Sequence, residues 1–159
     1  MSSRTIDFAP VLKSIEVNAP PERAFEVFAA FRWWPKSHSI LVSKAPQVAV
    51  TVEPRAGGRW YERGEDGSEC DWGKVLSWEP PRRMVLSWLL NASFQIDPAA
   101  ATEVVVTFEP RGTDKTYVAL EHRLFERHGE EGEKIRAAVD SPDGWSGLLQ
   151  MFAAMADGA

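Results

Sequence analysis

Two polar side chains occupy positions from which they could do chemistry within apolar surroundings, and the first is His122. It alternates with Val118, Leu120 and Leu124, which places the imidazole on the apolar face of a predicted strand. A neutral imidazole there could exchange a hydrogen bond with a ligand or carry a proton. Alternatively, neighbouring side chains hold it, which is the usual state of a buried polar group. The sequence leaves both interpretations open.

The second candidate is Glu62, which shares its side of a predicted strand with Trp60. If it points inward, its carboxylate could anchor a polar group of a ligand or act as a base. If it points outward, it is an ordinary solvated charge. By contrast, Glu121 and Arg123 alternate with the apolar residues around His122, so we expect both on the surface.

Aromatic residues supply a third kind of chemistry, because large rings either fill a core or line a pocket. The sequence has seven Trp and eight Phe but two Tyr. Combining ring positions with the predicted faces gives eight candidates to line a ligand cavity. They are Phe28, Trp60, Glu62, Trp88, His122, Trp145, Leu149 and Phe152.

Other catalytic or cofactor chemistry finds no support in the sequence. No Ser-His-Asp arrangement, zinc-ligand spacing or paired-carboxylate motif is visible, so catalysis is uncertain and we favour a protein that is not an enzyme. Cys70 is the only cysteine and has no disulfide partner within the chain. His38 and His128 fall in predicted loops without a histidine four residues away. We therefore expect no metal and no cofactor.

Length and composition indicate one ordinary globular domain. The chain has 159 residues, of which 44% are hydrophobic and 26% charged, and its mean hydropathy is -0.27. We expect a single domain over residues 1–159, with its core from about residue 11 to 157.

The charge and the hydropathy pattern exclude two classes of partner. The formal net charge of -5 lacks the basic excess typical of nucleic-acid binding. No apolar stretch approaches the length of a membrane span, and the first residues lack the apolar core of a secretory signal. We therefore expect a cytoplasmic protein that contacts neither nucleic acid nor the membrane interior.

The polar and aromatic candidates must be positioned by short strands. Alternating residues predict a strand over 11–18, and Pro21 then suits the first turn of a helix over 22–30. Six further β-like runs follow, separated by Gly, Pro and Asp turn residues. Such short connections predict an antiparallel meander that joins the first strand. The six runs cover residues 47–53, 58–63, 69–79, 84–91, 103–109 and 115–127.

The run over 69–79 has an ambiguous inward face. Trp72, Leu76 and Trp78 share one side with Lys74, so apolar and charged residues point the same way. A β-bulge near Gly73 would reverse the alternation and resolve the conflict. Pattern alone leaves the face of this strand open.

The C-terminal segment is predicted to be helical. Residues 131–140 could form a helix of their own, and Ser141 and Pro142 resemble a cap followed by a first-turn proline. A continuous apolar stripe then runs until Gly158 and consists of Trp145, Leu148, Leu149, Phe152 and Ala156. The element order predicts an α+β fold in which a curved antiparallel sheet of about seven strands wraps around a long C-terminal helix.

Several motifs in this order resemble the START/Bet v 1-like superfamily (SRPBCC, helix-grip), which includes polyketide cyclases. Within it, the chain resembles the family named after the C-terminal domain of the activator of Hsp90 ATPase. The similarity spans residues 11–157 and implies a cavity between the sheet and the C-terminal helix. The motifs are APPERAF (19–25), WWP (33–35), PRAGGRW (54–60), GKVL (73–76), EPPRRMVLSW (79–88), EH (121–122) and GW (144–145).

Members of this superfamily bind lipids, hormones and polyketides or catalyse reactions on them, so the resemblance implies ligand binding. Our leading expectation is a protein that binds an apolar or aromatic small molecule. An enzyme of the polyketide-cyclase or hydrolase-like kind is the alternative, with Glu62 or His122 as its acid-base residue. A third hypothesis, motivated by resemblance alone, is a module that contacts a chaperone or another protein. Homodimerisation is compatible with each of these.

Overall fold

A computed structural model describes residues 9–39, 41, 43–91, 95–97 and 101–157. Its sheet has seven antiparallel strands in the order β1-β7-β6-β5-β4-β3-β2. The predicted meander and its closure onto the first strand are thereby confirmed. The strands are β1 (Val11–Val17), β2 (Gln47–Val52), β3 (Arg59–Gly64), β4 (Glu69–Glu79), β5 (Arg83–Trp88), β6 (Thr102–Pro110) and β7 (Thr116–Arg123).

The regular alternation of β7 produces its two faces. Thr116, Val118, Leu120 and His122 are buried, while the residues between them are partly exposed. Arg123 lies on the outer side and pairs with Glu103 at an N–O distance of 3.0 Å. The predicted outward placement of Arg123 is correct, because an ion pair there keeps contact with water.

Two register shifts settle the ambiguous face of β4. One shift lies against β3, where Trp60 pairs with Gly73 but the next residue, Tyr61, pairs with Asp71. The other lies against β5, between Val75 and Ser77. A Cβ atom on Gly73 would overlap the carbonyl oxygen of Ser87, so this close approach requires glycine. The shifts reverse the alternation, so that Trp72 and Val75 are buried while Lys74 and Leu76 are exposed.

Helix α1 (Pro21–Ala30) begins with proline in its first turn, as predicted, and buries one face. Phe25 packs on Phe108 with ring centroids 5.1 Å apart. Phe28 contacts Phe152 of the C-terminal helix at 5.1 Å. Helix α1 thus packs between the sheet and the C-terminal helix, within one buried hydrophobic cluster.

The predicted strand over 115–127 is too long. Strand β7 ends at Arg123 because Leu124 adopts a left-handed conformation, with φ of 73°, and turns the chain away from the sheet. Helical segments then follow as far as the end of the described chain. They are a short helix over Phe125–Glu131, helix α2 (Gly132–Asp140), a helical turn over Pro142–Ser146 and helix α3 (Gly147–Asp157).

The C-terminal stripe is interrupted rather than continuous. Gly144 has the non-helical angles φ -89° and ψ -139°, so Trp145 lies in the turn before α3. Leu148, Leu149 and Phe152 lie on α3 and are buried as predicted. The Ser141 hydroxyl donates to the carbonyl of Ala138 at 2.7 Å instead of capping the next helix. Gly158 lies outside the described residues.

The architecture is an α+β helix-grip fold, in which the curled sheet encloses the C-terminal helical region and α1. This confirms the predicted fold class. Within the described ranges, no helix is both long enough and apolar enough to cross a bilayer.

Candidate ligand-binding cavity

A cavity of about 480 Å³ opens beside the junction of α2 and α3, and its volume is typical of small-molecule sites. Trp34, Trp88 and Trp145 line it with their indole rings. Trp145 contacts both other rings, with centroids 6.0 Å from Trp34 and 5.6 Å from Trp88. The remaining apolar lining comes from Leu90, Ala138, Val139, Gly144 and Leu148, and the polar lining from Ser37, His38, Ser39, Ser141 and Asp143.

The end of α1 positions Trp34. Phe31 adopts a left-handed conformation there, with φ of 53°, and its ring stacks on Trp33 at 5.1 Å. The Trp33 indole N–H donates to the carbonyl of Phe28 at 3.1 Å. Pro35 then holds the chain extended, so Trp34 is fixed between a rigid turn and Trp72, whose ring centroid is 5.1 Å away.

The break at Gly144 positions Trp145. A Cβ atom on Gly144 would overlap the carbonyl oxygen of Val139, so the turn can pack this closely on the end of α2 only with glycine. The turn directs Trp145 into the protein, where its side chain is 1% exposed. Glycine at 144 therefore determines where this wall of the cavity lies.

His122 connects two of the lining tryptophans. The Trp145 indole N–H donates to His122 Nδ1 at 3.0 Å. Because this nitrogen accepts, the proton of the neutral ring lies on Nε2, which donates to Thr102 Oγ1 at 2.8 Å. The Thr102 hydroxyl in turn donates to the backbone carbonyl of Trp88 at 3.3 Å.

Complete burial lowers the pKa of His122 to about 3, with a smaller contribution from the nearby His128. The imidazole is therefore neutral near pH 7, and both of its nitrogens are occupied by hydrogen bonds within the protein. His122 is not among the residues that line the cavity. Of the two interpretations that the sequence left open, the structure supports the held side chain.

Glu62 points inward and is completely buried, which decides between its two predicted orientations. Its carboxylate accepts a hydrogen bond from the Gln47 side-chain amide at 2.7 Å and from the Trp72 indole N–H at 3.3 Å. Cys70 lies opposite Glu62 on β4. The pKa of its thiol is raised to about 11, mainly because the thiol is partly buried and to a smaller extent because of the charge of Glu62. Glu62 thus links β2, β3 and β4 behind the cavity.

The comparison with known families covers almost the same residues as this fold. Residues 18–157 match the family described as Activator of Hsp90 ATPase homolog 1-like protein, or AHSA1. The chain belongs to this family. The resemblance stated from the motifs is confirmed. A comparison with curated proteins gives no match.

Two solved structures are similar to this AHSA1 protein in sequence as well as in fold. The anthrahydroquino-γ-pyrone synthase Txn09, solved in complex with SUM, is 37% identical and has a TM-score of 0.63, covering 93% of this chain and 97% of its own. The self-sacrificing resistance protein CalC from Micromonospora echinospora is 32% identical and has a TM-score of 0.67, covering 94% of each chain. MLL2253 from Mesorhizobium loti is 19% identical, with a TM-score of 0.66 and coverage of 95% of this chain and 98% of its own; it shares the fold.

Two of the eight predicted lining residues, Trp88 and Trp145, lie at the cavity of this AHSA1 protein. The other six are at most 2% exposed and lie in the core around it. They are Phe28, Trp60, Glu62, His122, Leu149 and Phe152.

Sequence reasoning missed Trp34 and the polar residues Ser37, His38 and Asp143 as parts of the cavity lining. The Trp33-Trp34-Pro35 motif contributed to the family resemblance. It carried no information about the direction of the rings, because α1 and the C-terminal turn are distant in sequence.

The fold is expected to depend on neither a metal nor a disulfide. Among the residues that the structure describes, no three His, Cys, Asp or Glu side chains are grouped so that they could hold a metal ion, and Cys70 is a free thiol. We expect EDTA and dithiothreitol each to leave the melting temperature unchanged in differential scanning fluorimetry. A drop of several degrees with EDTA that one metal reverses would contradict this prediction.

Proposed function

We propose that this AHSA1 protein binds a fused-ring aromatic small molecule in the cavity beside Trp34, Trp88 and Trp145. The observation that carries the proposal is the contact of three indole rings along one cavity of about 480 Å³. Trp34 and Trp88 are each 7% exposed, so their surfaces are largely shielded from water. A flat aromatic ligand would gain ring contacts there and leave its polar groups near the exposed residues Ser37 and Asp143.

The names of two relatives support an aromatic ligand. Txn09 is named as a synthase of an anthrahydroquino-γ-pyrone and is 37% identical, and that name denotes a fused aromatic ring system. CalC is named as a resistance protein and is 32% identical. Both similarities extend over more than nine tenths of this chain, so the cavity region is included in each.

Titration with 2-(hydroxymethyl)anthraquinone tests the proposal. We expect tryptophan emission to be quenched and the melting temperature to rise with ligand concentration, since a ligand that binds only the folded state stabilises it. Trp34→Leu is the most informative variant, because the Trp34 indole nitrogen has no hydrogen-bond partner among the described residues and its loss leaves no polar group unpaired. Losing one aromatic contact of about 1 kcal/mol would raise Kd about fivefold.

Trp78→Leu is the matched control. Trp78 is half-buried and packs edge-on against Phe25, and it does not line the cavity. This variant should therefore retain the parental Kd. Absence of quenching and of stabilisation up to the solubility limit would refute the proposal, as would an unchanged Kd in Trp34→Leu.

A second candidate function is synthesis or cyclisation of an aromatic compound, which the name of Txn09 favours. The two acid-base candidates from the sequence, Glu62 and His122, are held by hydrogen bonds behind the cavity. His38 and Asp143 do line the cavity and would be the available proton carriers.

Incubation with hydroxyanthraquinones that carry an open side chain, followed by mass spectrometry and NMR, tests for ring closure. Product that forms in the parent and His122→Asn proteins but is lost in His38→Gln or Asp143→Asn would support this alternative. Recovery of the unchanged open-chain compound with the parent protein and with every variant would leave ligand binding as the function.

The protein-interaction hypothesis required an exposed apolar patch on the outer face of the sheet. The large exposed apolar residues on the described strands are Leu12, Val48 and Leu76. They lie on β1, β2 and β4, and β1 and β2 form opposite ends of the sheet order. Leu12 borders a groove on the sheet together with Val105, Tyr117 and Ala119, whereas Val48 and Leu76 lie on other strands. The protein-interaction hypothesis and homodimerisation both stay predictions.

A further inference from the structure

The described residues that line the cavity include one carboxylate. Among the residues that the structure describes, Asp143 is the only Asp or Glu of the lining, and the lining contains no Lys or Arg. Lys36 directly precedes the lining residue Ser37 in the chain, but its side chain is exposed and does not line the cavity. The described lining therefore offers one carboxyl group together with hydroxyl groups and an imidazole.

The protein neutralises a neighbouring carboxylate but not this one. Asp140 forms ion pairs with Lys13 at 2.7 Å and with Arg136 at 3.9 Å, and these pairs lower its pKa, chiefly through the hydrogen bond from Lys13. Among the described residues, Asp143 has no ion pair and no side-chain hydrogen bond. The exposed carboxylate of Asp143 is thus free to interact with a ligand at the cavity.

The tryptophans that line the cavity also attract cations. The face of an indole ring carries partial negative charge and attracts cations, and tryptophan is the strongest of the aromatic residues in this respect. Three such rings line the cavity, so a cation inside it could contact an indole face while it remains close to a carboxylate. An anion would meet the same groups with unfavourable sign.

We propose that the cavity selects aromatic ligands that carry a protonated amine over neutral analogues, and neutral analogues over carboxylates, with Asp143 as the charge-selecting residue. This inference rests on the proposed binding of an aromatic molecule. It adds the charge of that molecule and names a residue that recognises it.

Three anthraquinones that differ at a single substituent test the inference. They are 2-(aminomethyl)anthraquinone, whose amine is protonated at pH 7, 2-(hydroxymethyl)anthraquinone and anthraquinone-2-carboxylate. We expect their Kd values, from tryptophan quenching at low ionic strength, to increase in that order. The amine should bind at least about tenfold more tightly than the carboxylate, because an exposed carboxylate and a cation–π contact each favour a cation by a few-fold.

Asp143→Asn should reduce the ratio of the Kd of the hydroxymethyl compound to the Kd of the amine by about three- to fivefold. Asp114→Asn is the matched control, since Asp114 is also exposed but lies in the β6–β7 turn and does not line the cavity. This control makes the same change in net charge, so it separates local recognition from general attraction of cations to an acidic protein.

The outcomes separate the two proposals. Equal Kd values for the three compounds, or tightest binding of the carboxylate, would contradict the charge selection and leave the proposed function intact. Equal effects of Asp143→Asn and Asp114→Asn would contradict the assignment to Asp143. Failure of all three compounds to bind would contradict both the charge selection and the proposed aromatic ligand.

Discussion

Replacing Phe152 with alanine is expected to lower the free energy of unfolding by about 3 to 5 kcal/mol. Phe152 is fully buried on α3, and its ring centroid lies 5.1 Å from that of Phe28 and 5.9 Å from that of Trp33. Truncation would leave a void where α3 meets α1. The surrounding rings are held by their own contacts, so they can fill that void only in part.

Met151→Ala is the control for Phe152→Ala. Met151 is the preceding residue on the same helix and is 48% exposed, so its truncation should change stability by no more than about 0.5 kcal/mol. Urea titrations followed by far-UV circular dichroism measure both variants. A Phe152→Ala midpoint close to that of Met151→Ala would show that the C-terminal helix is not an essential part of the core.

Lowering the pH from 7 to 5 is expected to reduce the free energy of unfolding by about 2 kcal/mol through His122 alone. Burial lowers the pKa of this side chain to about 3 in the folded protein, against an ordinary value of 6.5. In the interval between these values, the unfolded chain takes up a proton that the folded protein does not bind. The stabilisation is therefore complete above pH 6.5 and is lost progressively as the pH falls toward 3.

Urea titrations at pH 7, 6 and 5 measure this dependence in a range above most carboxyl titrations. His122→Gln should flatten it, and a smaller dependence in the same direction should remain because partial burial also lowers the pKa of His128. Thr102→Val is the control: it removes the partner of Nε2, which lowers stability at every pH, but it keeps the buried imidazole and hence the slope. An equally steep slope in His122→Gln would rule out His122 as its source.

Local sequence patterns were sufficient for most of the secondary structure. The β-like run over 69–79, bounded by turn residues on both sides, predicted the bounds of β4, and Pro21 marked the start of α1. These predictions succeed because turn residues and a first-turn proline reflect backbone geometry within a few residues. Where backbone geometry departed from the pattern, prediction failed: nothing local indicated the left-handed Leu124 that ends β7, or the break at Gly144.

The inward face of β4 shows why even a correct strand can leave its side chains unassigned. Two register shifts against β3 and β5 turn Trp72 and Val75 inward. Each shift depends on hydrogen bonding with a neighbouring strand, and one also depends on the close approach of Gly73 to Ser87. Such pairing is a property of the assembled sheet rather than of the strand itself.

The order of the elements, the family resemblance and the surplus of aromatic rings could all be read from the residues alone. Which rings line the cavity, and which polar groups remain available to a ligand, depends on how distant segments pack against one another. His122 is occupied because Thr102 and Trp145 reach it from other segments, whereas Asp143 lies at the cavity and the described part of the lining holds no Lys or Arg. Burial and hydrogen bonding depend on partners distant in the chain, and only folding brings those partners together.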